Sequence, residues 1–157
     1  MSQHFEIVVF TASIAAYADK VIDFLDPHKS VKFRLYRNHC TFLNGNFVKD
    51  LSRLGWDLKD VLILDNNPKA YLFHPENGLP IPSWYDDVQD KYLKRYIPVL
   101  KGLSVTFDVR SHIQKFVKND SLDIIQAYKG FGIKLKSERQ REKEKGPKTI
   151  VWKILHQ

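Results

Sequence analysis

The sequence has 157 residues, close to the roughly 150 of one domain, and its 43% hydrophobic and 13% aromatic content supplies a single core, which excludes globally disordered, collagen-like and low-complexity classes. Its one cysteine, Cys40, excludes an internal disulfide framework and a zinc ribbon and goes with a reducing compartment such as cytosol or nucleus. The net charge of +7 is concentrated: residues 134–148 hold seven basic and three acidic side chains, so residues 1–133 carry only about +2, and no basic face for nucleic acid is expected.

In chain order, Met1-Ser2-Gln3-His4 has no basic segment ahead of an apolar run, and no stretch approaches about eighteen apolar residues, so neither a secretion signal nor a membrane segment is predicted. Phe5 to Phe10 is a continuous β-branched and aromatic run, the pattern of a strand buried on both faces of a parallel sheet. Thr11-Ala12-Ser13 ends it and can start a helix, with Ile14, Tyr17, Ala18, Val21, Ile22 and Leu25 at helical spacing until Asp26-Pro27. Phe33 and Leu35 precede Thr41-Phe42-Leu43, Asn44-Gly45 and Asn46-Phe47-Val48, where the Asn-Gly turn between apolar runs predicts a hairpin. A helical turn follows over Leu51 to Leu54. Asp60 to Asp65 reads as a second buried strand, closed abruptly by Asn66-Asn67-Pro68. Beyond Leu79-Pro80-Ile81-Pro82, helices are predicted over Val88 to Leu103 and Val109 to Val117. Residues 134–148 read as a solvated helix or disordered tail, and Val151-Trp152-Lys153-Ile154 has no assigned role. Strands alternating with helices indicate an α/β domain.

Ligands of an open parallel sheet bind outside the carboxyl ends of its strands, where Thr11 and Asp65-Asn66 would both lie. A hydroxyl there can hold a phosphate oxygen, an Asp and an Asn offer hard oxygen ligands suited to magnesium, and Lys49 after the hairpin can neutralise phosphate charge. Each residue also has a plainer role: a helix cap for Thr11, a turn residue for Asp65, a solvated cation for Lys49. The residues alone thus point to an α/β domain with a phosphate and magnesium site among the options.

The strings Phe5-Glu6-Ile7-Val8-Val9-Phe10-Thr11-Ala12-Ser13, Tyr17-Ala18-Asp19, Leu35-Tyr36-Arg37-Asn38-His39-Cys40, Gly45 to Gly55 with its Lys49-Asp50-Leu51-Ser52-Arg53-Leu54-Gly55, Leu62-Ile63-Leu64-Asp65-Asn66-Asn67-Pro68 and Ser83-Trp84-Tyr85-Asp86-Asp87 run in order along the chain. Together they resemble the small C-terminal-domain phosphatases. These are relatives of the RNA polymerase II C-terminal-domain phosphatases in the haloacid dehalogenase superfamily, and the match spans Phe5 to about Phe116. The resemblance implies a Rossmann-like parallel sheet with a β-hairpin insertion. It also implies magnesium-dependent removal of phosphate from phosphoserine or phosphothreonine in proteins through an aspartyl-phosphate. By position, Thr11 matches the phosphate-binding hydroxyl, Lys49 the stabilising lysine, Asp65 the acidic residue beside the metal and Asn66 a metal ligand. Tyr17 and Arg37 match residues that contact the substrate peptide, for which the planar fork of Arg37 suits a phosphate or carboxylate.

One element of the pattern is missing. The Asp-x-Asp motif at the end of the first, central strand, which supplies the nucleophile and the acid/base, would stand upstream of Phe5, where only Met1 to His4 remain. Asp19, Asp23 and Asp26 fall on the helix, and Asp57 and Asp60 precede the second strand, so no nucleophile is assigned. The expected sheet therefore lacks its central strand, leaving an open slot between Phe5–Phe10 and Asp60–Asp65. A fragment or incomplete gene model, inactive as given, is expected rather than an evolved pseudoenzyme. Trp56 departs from the basic residue often found there.

Residues 1–118 are expected to form this partial phosphatase domain and 119–157 a basic tail. The expected partner is a phosphorylated protein, the RNA polymerase II C-terminal domain or another, in the nucleus or cytoplasm, with no nucleic acid bound and no membrane segment. Two alternatives stand beside the enzyme: a pseudophosphatase that binds phosphopeptides, and a relative of the mitochondrial inner-membrane import receptor that shares the domain.

Overall fold

A computed structural model describes residues 1–118 and 147–153, with the side chain of Lys118 left out of account. Strand β1 (Phe5–Phe10) leads to helix α1 (Ala15–Leu25), strand β2 (Val31–Leu35) and a hairpin of β3 (Thr41–Leu43) and β4 (Asn46–Val48). Strand β5 (Val61–Asp65), strand β6 (Gly78–Pro80), helices α2 (Tyr92–Leu103) and α3 (Val109–Lys118) and strand β7 (Lys148–Trp152) follow. Five strands form one sheet in the order β2-β1-β7-β5-β6, every pair parallel, and β3-β4 is a separate two-stranded sheet. The α/β architecture, the parallel sheet and the hairpin are those expected. Among the described residues no helix is long and apolar enough to cross a membrane.

The slot between β1 and β5 is not open. Strand β7 lies in it, pairing Ile7 with Ile150 and Val8 with Val151 on one side and Leu62 with Ile150 and Ile63 with Val151 on the other. The physical reason lies in Thr149-Ile150-Val151, a β-branched run as continuous as those of β1 and β5 and suited to burial on both faces. Ile150 joins the core cluster beneath α2 and α3 with Phe5, Leu62, Leu64 and Leu103, while Val151 joins Val8, Phe10, Leu51 and Ile63 on the opposite face. Lys148 enters the sheet through an ion pair with Asp60 at 2.7 Å. Residues 148–152 therefore belong to the domain and not to a tail beginning at 119; the tail reading of 119–146 and the role of Ile154 lie outside the described residues.

Two helix starts differ from the pattern. Helix α1 begins at Ala15 with Ile14 in the cap position and no side-chain cap, because Thr11 Oγ1 instead accepts the Ser13 N–H at 3.1 Å and shapes the turn out of β1. Helix α2 begins at Tyr92, whose N–H donates to Asp90 Oδ1 at 2.6 Å, so the apolar Val88 stays outside it and is 87% exposed. Within α2, Tyr96 is buried, its hydroxyl donates to the Pro80 carbonyl, and burial pushes its pKa up to about 12. Trp56 is partly buried and packs on Phe33, with ring centroids 5.9 Å apart, a local structural contact.

Beside β6, a Cβ on Gly78 would stand 2.1 Å from the Tyr71 ring, itself buried in one cluster with Val61, Ile63 and Ala70. Gly78→Ala is therefore expected to destabilise by about 1–3 kcal/mol through overpacking, read as a lower urea midpoint at unchanged slope.

Candidate phosphate site at the strand ends

The chain leaves β1 towards β2 in one direction and leaves β5 towards β6 in the other, so the sheet's reversal point lies over the carboxyl end of β7. Thr11 follows β1, Lys153 follows β7 and Asp65 ends β5, three neighbouring strand ends. The register makes this concrete: Val9 and Leu64 both pair with Trp152, and the Lys153 N–H donates to the Leu64 carbonyl at 3.3 Å.

Lys49 reaches this point from β4. Its backbone N–H donates to the Ala70 carbonyl at 2.7 Å, and Leu51, fully buried, anchors the short 3-10 turn that follows. Asp50 caps that turn by accepting the Ser52 N–H at 3.1 Å, and hydrogen bonds from His74 and Ser52 hold its carboxyl below the usual range although burial opposes them. With its backbone so fixed, Lys49 sends its ammonium inward to Asp65 Oδ2 at 2.5 Å; the side chains are 2% and 0% exposed. Burial pushes the Lys49 ammonium down from the ordinary lysine range, with the Asp65 charge pulling the other way. Asp65 Oδ1 accepts the Asn67 N–H at 2.9 Å and faces the Lys153 ammonium at 3.9 Å.

Thr11 is buried, its backbone tied to the Leu35 carbonyl at 2.9 Å. Arg37 packs against the turn that follows it: its N–H donates to Ser13 O at 3.0 Å, its Nε donates to Ala12 O at 2.6 Å, and its guanidinium lies 5.1 Å from the Phe47 ring centroid. Cys40 also touches this turn, its Sγ 3.9 Å from the Thr11 carbonyl, and burial pushes its thiol up, away from reactivity. Tyr17 stands half exposed at the start of α1. Asn66 is partly exposed and its amide donates to Ser83 Oγ at 2.8 Å. The fold thus joins Lys49 to Asp65 directly, sets Thr11 on the neighbouring strand end with Arg37 bracing its turn, and keeps Tyr17 and Asn66 at the edge.

Lys153 is the residue that sequence reasoning missed. A signal was present, because Lys148–Trp152 is a strand-like run ended by a polar residue, the same pattern that marks Thr11 and Asp65. Beside these ends a cleft of about 620 Å³ runs between α1 and α2 over Ile7, Val31 and Trp152, and is bordered by Asp65, Asn66 and Lys153.

These residues fit the expected magnesium poorly. Both Asp65 oxygens face an ammonium group, so the carboxylate that would hold the ion is already engaged by lysines.

The family model of NLI interacting factor-like phosphatases matches residues 1–110. The chain belongs to this phosphatase family. It is 54% identical over 110 residues to a "Probable C-terminal domain small phosphatase" of Dictyostelium discoideum, covering 70% of this chain and 36% of that protein. Human relatives are a "CTD small phosphatase-like protein", 51% identical over 115 residues covering 73% and 42% of the two chains, and "Carboxy-terminal domain RNA polymerase II polypeptide A small phosphatase 1", 50% identical over 115 residues covering 73% and 44%. The matched segment spans less than half the length of these relatives. The family-model match ends at residue 110, ahead of β7.

Proposed function

We propose that this is the site of a protein phosphatase for phosphoserine and phosphothreonine, of which this chain carries the phosphate-holding half. Thr11 and Lys49 receive the phosphate, and Arg37 and Tyr17 meet the flanking peptide. The observation that supports this most is the buried Lys49–Asp65 pair, which fixes a charged side chain directly behind Asp65 at the border of the cleft. Hydrolysis through an aspartyl-phosphate needs an Asp-x-Asp at the end of the central strand, and after β7 this chain has Lys153-Ile154-Leu155. An ammonium cannot be the nucleophile of an acyl phosphate, so the chain by itself binds the phosphorylated peptide and does not turn it over. The pseudophosphatase reading is favoured by that same lysine.

The phosphorylated RNA polymerase II C-terminal domain, named in one relative, is the first peptide to test, and that substrate goes with the nucleus. A labelled phosphoserine peptide should bind, its unphosphorylated form should not, and Arg37→Ala should weaken binding about tenfold by losing a charge-assisted contact. Equal binding of both peptides would defeat the reading. Turnover should be absent with or without magnesium. In the double variant Lys153→Asp/Leu155→Asp, which restores the Asp-x-Asp spacing after β7, magnesium-dependent release of phosphate should appear and be abolished by EDTA. Turnover by the unaltered chain would overturn the division into halves.

A further inference from the structure

The charges at the end of the central strand already suit an anion with no metal ion present. Asp65 is fully buried and Lys49, 2% exposed, neutralises it at 2.5 Å, leaving Lys153 as the surplus cation. At 3.9 Å the Lys153 ammonium is too far from Asp65 Oδ1 for a hydrogen bond, and among the described residues that is the closest approach of any carboxylate to it. Its three N–H donors are therefore uncommitted to Asp65, and its side chain is 16% exposed where it borders the cleft. The other charges along the cleft cancel, Asp26 and Asp90 against Lys91 and Lys94. Two ammonium groups and one carboxylate sum to one positive charge in a site of low dielectric, where a doubly negative phosphate is attracted and a divalent cation is repelled.

We propose that the Lys153 ammonium takes the place of a divalent cation at this site, so that phosphate monoesters bind here independently of magnesium. The inference rests on the phosphopeptide reading above and adds to it the source of the positive charge. A phosphate oxygen would accept hydrogen bonds from Lys153 on the central strand and would have the Lys49–Asp65 pair behind it.

The test measures binding of a fluorescein-labelled phosphoserine peptide to the full 157-residue chain, in EDTA and in excess magnesium, with inorganic phosphate as competitor. The dissociation constants in the two buffers should agree within about twofold, and phosphate should compete in both. Lys153→Met should weaken binding about tenfold or more, and Lys153→Arg, which keeps the charge, should restore most of it. Peptide binding that requires magnesium would overturn this inference while leaving the phosphopeptide reading intact. Binding unaffected by Lys153→Met would do the same. No binding in either buffer would remove both. The comparison of buffers uses the unaltered chain, so it decides the matter even if a variant folds poorly.

Discussion

Val151→Asp is expected to abolish the cooperative unfolding transition. Val151 is fully buried between β1 and β5, against Val8 on one side and Ile63 on the other, in a cluster with Phe10, Leu51 and Val61. A carboxyl group there is left without partners, and the loss of apolar contact adds to its desolvation, a combined cost of about 4 kcal/mol or more. That is comparable with the roughly 5–15 kcal/mol that holds a domain of this size together. The control is Val88→Asp, at a position 87% exposed, which should shift stability by no more than about 0.5 kcal/mol. Circular dichroism during urea titration separates the two. A sharp transition retained in Val151→Asp would mean that β7 is dispensable to the sheet.

Lys49→Met should cost about 3–5 kcal/mol, because it leaves the fully buried Asp65 carboxylate without its close partner. The side-chain volume is nearly kept, so cavity formation contributes little. Lys153, at 3.9 Å, offsets only part of the loss, since from that distance it makes no hydrogen bond to the carboxylate. Adding Asp65→Asn to Lys49→Met should recover stability, as the second change removes the unpaired charge. If the double variant is no more stable than Lys49→Met, the cost comes from packing and not from the charge. The same variants bear on binding: Lys49→Met should weaken phosphopeptide affinity even where the fold is retained in stabilising salt or osmolyte.

The elements legible in the sequence were those whose signal is local. Phe5–Phe10 and Val61–Asp65 are short apolar runs with polar stops, and Asn44-Gly45 adopts the positive φ angles, 48° and 76°, that its hairpin turn demands. Periodicity carries α2 back to Val88 because it registers that residue as apolar and does not see that Asp90, by accepting the Tyr92 N–H, sets the helix start. The site divides the same way. Asp65 at a strand end and Lys49 after the hairpin are visible locally, the family strings add their roles, and their pairing needs only the fold's ordinary topology. Lys153 was not found, because its place depends on a parallel register between strands far apart in the chain. The ion pair that starts that strand, Lys148 with Asp60, joins residues 88 positions apart. No local pattern announces such a pairing, and the polar segment ahead of β7 hid a run that would otherwise have read as a strand. The fold thus answers the question of the open slot with the chain's own residues, and in doing so sets a lysine where the resemblance asks for an aspartate.

Lys148–Trp152 is the middle strand of the sheet and delivers Lys153 to the crevice. Amide hydrogen exchange, followed residue by residue by NMR, tests this placement most directly. The amides of β7 that bond into the ladders with β1 and β5 should exchange in the slowest class, together with those of Val8 and Ile63, opening only on global unfolding. Exchange of the β7 amides at the rate of an unstructured peptide, while β1 and β5 stay protected, would contradict the account and with it the placement of Lys153.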